Sequence, residues 1–314
     1  MSTAYPSKVQ IGHAMSNDIC YKSKDLIGGT IIKTGSRIAS YGGGYAIVYP
    51  FMKSGGKKIV VRCWWADIGN AEKRMMAISS YLNNLKSPYF IKLDYQDKAL
   101  LVDGILRPIV IMDYVEALNL KDYVKENINN RATVLNIAKN FKIMVVFLHK
   151  NGIAHGDLSH GNIKVKADDN LVLIDYDSMF VKALKDMPDN IKGIPGYQHP
   201  ARKNNAISNA KLDYFSELVI YLSLLVFADY PECYDQYHDT EDLLFSIEDY
   251  ENPHSSPLIK KLRTSLNSQI VNLTNTLIEY LAHDDITSLR PLEEILRGSN
   301  KYNDDMINEI IDKF

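Results

Sequence analysis

The spacing of apolar residues separates a strand-rich first part of the chain from a helix-rich second part. Short runs of β-branched and aromatic residues bounded by glycine predict strands, whereas apolar residues that recur every three or four positions predict helices. By these criteria the first part contains one helix, at 70–85, and a group of strands at 30–33, 46–51, 58–64, 91–94, 99–102 and 109–112. We therefore expect a five-stranded sheet that carries a single helix.

The rest of the chain is mostly helical by the same criteria. Helices are predicted at 120–126, 132–150, 218–228 and 304–314, and a hairpin of short strands at 163–166 and 171–174. The 218–228 segment is the longest apolar run. Because it is too short to cross a bilayer, it predicts a buried helix. The first 28 residues are a polar lead-in with little periodicity, and we assign them no chemistry.

The composition indicates a soluble globular protein. The chain has 314 residues, of which 46% are hydrophobic and 24% charged, which is enough apolar material for a large core or two smaller ones. A net charge of −2 gives no reason to expect a nucleic-acid partner. The three cysteines are too few and too scattered for a disulfide framework or a zinc site, and the N-terminus lacks an apolar signal sequence. We therefore expect a cytoplasmic protein with no membrane partner.

Three polar residues after the long predicted helix have a spacing that suits the transfer of a phosphoryl group. Asp157 lies in the stretch 155–162, Asn162 ends that stretch, and Asp175 follows the second strand of the hairpin. A carboxylate can accept the proton of an attacking hydroxyl, while a carboxamide and a second carboxylate supply oxygen ligands of the kind that Mg2+ prefers. The pattern therefore predicts a phosphotransferase with Asp157 as the base and with Asn162 and Asp175 as metal ligands.

These residues resemble the catalytic loop and the metal-binding motif of the protein-kinase superfamily. The loop ending His-Gly-Asn and a later Tyr-Gln-His-Pro are similar to those of bacterial proteins related to eukaryotic protein kinases. Further segments resemble family motifs in the family's order: a hinge at 112–116, the end of an activation segment at 193–200, the start of the central large-lobe helix at 212–218 and a late arginine motif at 285–291.

This resemblance implies an α+β, bilobal, protein-kinase-like fold. A five-stranded antiparallel sheet and one helix would form the N-lobe, and helices would form most of the C-lobe. The implied division is an N-terminal extension at 1–28, an N-lobe at 29–115 and a C-lobe at 116–314. The resemblance also implies that Asp213 binds the backbone of the catalytic loop.

ATP and Mg2+ are the implied cofactors, and a protein hydroxyl is the implied acceptor. Arg62 stands where the family has its phosphate-binding lysine, so the implied catalytic residues are Asp157 and Arg62. Met112 would be the gatekeeper, and the backbone of Asp113 and Val115 would bind adenine. The full set of residues implied to bind the nucleotide is Gly43, Val48, Val60, Arg62, Met112, Asp113, Val115 and Lys164.

Several positions differ from the family pattern. Arg62 replaces the lysine, and the place of its usual glutamate partner falls near Ile78, with Glu72 nearly two turns earlier. Ser159 replaces a lysine that contacts the γ-phosphate, and Lys164 replaces an apolar residue below the adenine. We favour an active serine/threonine protein kinase. The alternatives are a pseudokinase that acts as a binding or scaffold module, and a small-molecule kinase.

The activation segment also predicts how the protein is regulated. Kinases that are switched by phosphorylation of this segment have an arginine directly before the catalytic aspartate, whereas this chain has Gly156 there. Between Asp175 and Pro200 the sequence contains one serine, Ser178, and no threonine. We therefore expect no switch by serine or threonine phosphorylation in this segment.

Overall fold

The computed structural model describes residues 4–67, 69–237 and 242–297, which divide into two compact units. The first unit contains the residues up to 86 together with 91–116, and the second contains 87–90 and the residues from 117 onward. The helix predicted at 304–314 lies outside the described residues.

An antiparallel sheet dominates the first unit. The sheet contains six strands. Two of them are short and pair with opposite ends of the same edge of one longer strand, so the sheet is five strands wide, as predicted. The predicted strands 91–94 and 99–102 are one strand with an irregularity between Gln96 and Leu100. The strands of this unit are β1 (Thr30–Ile31), β2 (Lys33–Thr34), β3 (Arg37–Ile38), β4 (Tyr41–Gly42), β5 (Ala46–Met52), β6 (Lys58–Trp64), β7 (Leu93–Val102) and β8 (Ile105–Asp113). Their order in the sheet is β1-β5-β6-β8-β7, with β4 also on β5, while β2 and β3 form a separate hairpin.

Residues that precede the sheet contribute to its main core. Helix α1 (Lys8–Met15) begins with a capping box, in which Ser7 and Gln10 each accept a hydrogen bond from the other's backbone. The buried face of α1, together with the segment that follows it, belongs to the same apolar cluster as one face of the strands. The cluster includes Ile11, Ala14, Met15, Tyr21, Leu26, Tyr49, Phe51, Val61, Cys63 and Ile109. The N-terminal extension thus contributes to the core of the first unit.

The predicted helix of the first unit is present as α2 (Ala71–Asn84). Its buried residues include Met75, Ile78 and Leu82, which recur at helical spacing. The Ser79 hydroxyl donates a hydrogen bond of 2.9 Å to the Leu93 carbonyl, so the helix also contacts the backbone of β7.

The second unit is mainly helical. Its helices are α3 (Leu120–Asn127), α4 (Arg131–Lys150), α5 (Tyr214–Asp229), α6 (Cys233–Tyr237), α7 (Ile247–Glu251), α8 (Pro257–Arg263), α9 (Ser268–Leu281) and α10 (Leu292–Leu296). A small antiparallel sheet, ordered β11-β10-β9, contains β9 (Leu118–Asn119), β10 (Ile163–Val165) and β11 (Leu171–Leu173). Helix α4 is long and apolar enough to cross a membrane by length and composition, but 61% of its apolar window is buried in the protein, as in a central core helix.

A buried histidine joins three helices of this unit. The Nε2 atom of His149 on α4 lies 2.7 Å from Glu217 of α5, and its Nδ1 atom lies 2.8 Å from Glu293 of α10. Burial opposes protonation of the imidazole, yet the two carboxylates raise the pKa of His149 to about 10. At neutral pH the ring of His149 is therefore protonated. Burial raises the pKa of Glu217, while the charge and hydrogen bond of His149 oppose that rise.

We expect Met15→Ala to reduce the free energy of unfolding of the first unit by about 2–5 kcal/mol, because it leaves a cavity between α1 and the sheet. Val9→Ala is the matched control, since Val9 lies on the same helix with 66% of its surface exposed. Both tryptophans, Trp64 and Trp65, lie in this unit, so denaturant titrations followed by tryptophan fluorescence report its unfolding. Equal stability of the two variants would contradict the packing described here.

The second unit should lose stability as the pH rises from about 6.5 towards 10. The folded pKa of His149 lies above its unfolded value of about 6.5, so its contribution is complete below 6.5 and disappears as the pH passes 10. The slope is at most about 1.4 kcal/mol per pH unit. His149→Gln should flatten this dependence in urea titrations followed by circular dichroism, whereas replacement of the exposed His254 by Gln should not. A wild-type curve that is flat over this range would contradict the ion pairs.

Candidate active site

The carboxylate of Asp213 fixes the backbone at the start of the catalytic loop. Its two oxygens accept the N–H groups of His155 and Gly156, the latter at 2.9 Å. Asp213 is 1% exposed and immediately precedes α5, whose residues are almost all buried. The loop is therefore attached to the start of a buried helix, and the predicted role of Asp213 is confirmed.

Gly156 is required by the shape of this loop. Its φ is +77°, and a Cβ atom at this position would overlap with the carbonyl of Ser178. Ser178 is 5% exposed, so the neighbouring segment packs directly against the loop. An arginine before Asp157 therefore has neither the backbone conformation nor the space that it needs, which gives a physical reason for the glycine.

The carboxylate of Asp157 is half-buried and held by two donors. Its Oδ1 accepts the Ile194 N–H at 3.0 Å, and its Oδ2 accepts the Asn162 carboxamide at 3.2 Å. A carboxylate has about four lone-pair sites, so two remain for an acceptor hydroxyl. Burial raises the pKa of Asp157, while the charges of His155 and Arg202 and the Ile194 N–H oppose that rise.

The backbone connects the segments that carry Asn162 and Asp175, the two predicted metal ligands. The Asn162 amide nitrogen donates to both the backbone and the side-chain oxygen of Asp157, which leaves the amide oxygen for a cation. The Ile174 N–H donates to the Asn162 carbonyl at 3.0 Å, and the next residue, Asp175, has a φ of +64°. Such conformations are rare outside glycine and occur at functional sites.

The donor atoms of this pair suit Mg2+. Among the residues that the structure describes, no group of three or more His, Cys, Asp or Glu side chains could hold a metal ion. One carboxylate and one amide oxygen fit a Mg2+ ion that takes most of its other ligands from water and phosphate.

Two buried charged residues near the loop were not predicted from the sequence. Arg202 is 1% and Asp189 5% exposed, and they form a two-point ion pair with N–O distances of 3.2 and 3.1 Å. Arg202 also donates to the Gly156 carbonyl at 2.5 Å. Burial opposes ionisation of Asp189, but the hydrogen bonds and charge of Arg202 lower its pKa overall. The available sequence signal was only an arginine just after the Tyr-Gln-His-Pro motif.

Two of the unusual residues in the loop region differ in their surroundings. Ser159 is fully buried, and its hydroxyl has no hydrogen-bond partner within the described parts of the chain. It therefore cannot take the place of a lysine that reaches a phosphate. Lys164 is half-buried on β10, opposite Asn119 and Val172, and burial lowers its pKa although Asp122 opposes this.

In the first unit, the strand register places four of the predicted nucleotide-binding residues on one face of the sheet. Val48 is paired with Arg62, and Val60 is paired with Met112. Residues 60 and 62 alternate with the buried Val61, whose side chain belongs to the opposite face and the core with α1. Arg62 is 8% exposed, and Ile78, at the usual glutamate position, is fully buried.

Two consecutive lysines, one directly before β6 and one at its start, contact the predicted hinge. Lys57 forms an ion pair of 2.5 Å with Asp113, and the Lys58 ammonium lies 3.6 Å from the ring centroid of Tyr114. The N–H of the half-buried Val115 donates no hydrogen bond to any residue that the structure describes. It is therefore available to a ligand such as adenine.

The remaining predicted residues lie in exposed or surface positions. Gly43 is exposed in the turn between β4 and β5, where its N–H donates to the Ala46 carbonyl at 2.9 Å. Arg290 of the late arginine motif makes hydrogen bonds of 3.2 Å to both carboxylate oxygens of Glu279. The arginine thus has a partner different from the glutamate that the family motif supplies.

We expect Gly156→Ala to destabilise the second unit by about 1–3 kcal/mol, because alanine meets both an unfavourable φ and the Ser178 carbonyl. Gly161→Ala is the control in the same loop, since its Cβ would meet no atom closer than 3.9 Å. Thermal denaturation followed by circular dichroism measures the difference. Equal melting temperatures would show that the tight packing at Gly156 is wrong.

Comparison with known proteins agrees with this geometry. Residues 42–296 match the protein kinase domain family. A 142-residue part of the chain is 26% identical to a Caenorhabditis elegans protein described as "Probable serine/threonine-protein kinase zyg-1". That match covers 43% of this chain and only 19% of the length of the relative. Since the family match spans most of the chain and includes the catalytic loop, the protein belongs to the protein kinase domain family.

Proposed function

We propose that this protein is an active, ATP- and Mg2+-dependent kinase that phosphorylates serine or threonine hydroxyls of a protein. The observation that carries the proposal is the carboxylate of Asp157, which Asn162 and Ile194 orient while two of its lone-pair sites remain open. A residue kept only to shape a scaffold would not need that arrangement beside two potential metal ligands.

In the proposed reaction, the acceptor hydroxyl oxygen attacks the γ-phosphorus of ATP. A new O–P bond forms, the bond from the γ-phosphorus to the bridging oxygen breaks, and ADP leaves. The hydroxyl proton passes to the carboxylate of Asp157. Mg2+, when bound, supplies charge neutralisation for the phosphates. Asn162 Oδ1 and Asp175 are the residues that would hold it, since both offer oxygen ligands.

The first unit supplies the groups proposed to bind the rest of ATP. Val48, Val60 and Met112 give an apolar surface for adenine, and the backbone of Asp113 and Val115 gives its polar contacts. Gly43 and Arg62 are proposed to bind phosphate. A buried guanidinium stays protonated at any physiological pH and can donate two parallel hydrogen bonds to phosphate oxygens. Lys164, whose charge is disfavoured by burial, is also proposed to bind nucleotide.

A protein acceptor is favoured over a small molecule by the large-lobe motifs. The family match includes both the 193–200 segment and Asp213, which belong to the protein-substrate branch. The relative described as a serine/threonine-protein kinase supports the same choice of hydroxyl. We also propose membership of the bacterial group that shares the His-Gly-Asn loop and the Tyr-Gln-His-Pro motif, with a cytoplasmic location and no nucleic-acid or membrane partner.

A pseudokinase is the second candidate, and the observation that favours it lies in the first unit. Arg62 occupies the lysine position, and a fully buried Ile78 occupies that of the acidic partner. Arginine is longer than lysine and has a planar head group, so it places its charge differently against phosphate.

We expect the protein to transfer the γ-phosphate of labelled ATP to a generic protein substrate in the presence of Mg2+. Asp157→Asn should lower kcat by a factor of about 100 or more, because it removes the proton acceptor while keeping the size of the side chain. Asp168→Asn is the control, since Asp168 lies in an exposed turn of the same unit. Transfer is measured on gels and by intact mass.

The other outcomes distinguish the alternatives. Transfer that persists in Asp157→Asn would contradict the assignment of the base. If no phosphate is transferred, whether or not ATP binds, the pseudokinase is the remaining candidate. Transfer to small metabolites but never to protein would indicate a small-molecule kinase.

A further inference from the structure

The buried Arg202, which follows the activation segment, has all of its hydrogen-bonding capacity in use. A guanidinium has five N–H donors. In Arg202 they are divided between the Asp189 carboxylate, the Gln198 side chain, and two backbone carbonyls, those of Ile191 and Gly156. A charged side chain that is 1% exposed and fully satisfied is fixed in one position, because any movement leaves a buried donor without an acceptor.

These contacts reach Asp157 from two directions. Gly156, whose carbonyl accepts from Arg202, directly precedes Asp157 in the chain. Ile194 lies between Ile191 and Gln198, which also accept from Arg202. Its N–H donates to Asp157 Oδ1 at 3.0 Å. Gly193 packs so closely on the same oxygen that a Cβ there would come within 2.5 Å of it. One guanidinium thus connects the backbone before Asp157 to the segment that contacts its carboxylate.

The anion that holds this guanidinium is permanent. Asp189 accepts hydrogen bonds from Lys192 at 3.2 Å and from Asn205 at 2.9 Å in addition to those from Arg202. A carboxylate with several cationic and polar donors does in this place what a phosphate group does when it orders a segment against an arginine. Here no modification is needed to create the charge.

The hydroxyl groups of the segment are not accessible to a modifying enzyme. Ser178, its one serine between residues 175 and 200, is 5% exposed. Its two tyrosines, Tyr176 and Tyr197, are 2% and 1% exposed. Phosphorylation of any of them would require the segment to open first.

We propose that Arg202, neutralised by Asp189, is a positioning residue for Asp157. Arg202 holds the activation segment against the catalytic loop without phosphorylation. The inference deepens the proposed function and rests on it where turnover is concerned. The part that concerns the ordering of the segment rests on the contacts alone.

Hydrogen exchange of the intact protein, shown by mass to carry no phosphate, tests the ordering directly. In the wild type, the amides of 191–198 should be protected. Arg202→Met, which keeps the length of the side chain but removes its charge and donors, should accelerate their exchange by about 10-fold or more, with amides of α5 unchanged. Lys203→Met is the matched control, because Lys203 is the exposed neighbour in the same short helical turn. Asp189→Asn is the second variant, in case Arg202→Met does not fold.

Kinetics separates positioning from a general loss of structure. Arg202→Met and Asp189→Asn should lower kcat by about 10-fold or more, while KM for ATP changes by no more than about twofold, because none of the proposed adenine contacts involves them. Arg202→Lys, which keeps the charge without the planar fork, should restore part of kcat.

The proposal is overturned if the unphosphorylated wild-type segment exchanges as fast as an unfolded peptide, or if Asp189→Asn and Arg202→Met leave exchange unchanged. It is also overturned if both variants retain full kcat, or if wild-type activity requires a phosphate in the segment. A third outcome is that the wild type transfers no phosphate at all, while exchange is still faster in the variants. This outcome supports the ordering by Arg202 and overturns the proposed function instead.

Discussion

The two peptide units at Gly156 are the point on which the geometry of the second unit depends. The N–H groups of His155 and Gly156 donate to Asp213, which directly precedes α5, and the Gly156 carbonyl accepts from Arg202. The left-handed φ of Gly156 turns the chain between these contacts so that Asp157 follows with its carboxylate beside Asn162 and Ile194. Backbone groups fixed by buried charges cannot shift without leaving a charge unsatisfied, so the direction of Asp157 is set before any ligand arrives.

Two cations in the interior of this unit have acidic partners. Arg202 lies with Asp189, and His149 lies between Glu217 and Glu293. A buried ion pair contributes little net stability compared with apolar packing, but removal of one partner is costly, so such pairs chiefly fix one arrangement. Lys164 differs, since the described residues offer it no hydrogen bond or ion pair and burial lowers its pKa.

Local patterns in the sequence predicted the sheet, helix α2, the long helices α4 and α5 and the role of Asp213, because each leaves a periodic or motif signal within a short window. Helix α1 was missed since it is short and buries only three residues, although Ser7 and Gln10 form a recognisable capping box. The pair of Asp189 and Arg202 could not be found this way, because its meaning arises only when the chain folds back on Gly156. The same applies to Tyr250, whose hydroxyl donates to the Gly196 carbonyl from helix α7. The metal ligands and nucleotide contacts stay predictions.

The central claim is that Asp157 catalyses phosphoryl transfer in a loop that is already assembled in the unmodified protein. The most direct measurement is a rapid-quench time course of γ-phosphate transfer to a protein substrate, with protein shown by intact mass to be free of phosphate. We expect transfer to start without a lag at every protein concentration. No transfer, or a lag that shortens with protein concentration while phosphate accumulates on the activation segment, would contradict the central claim.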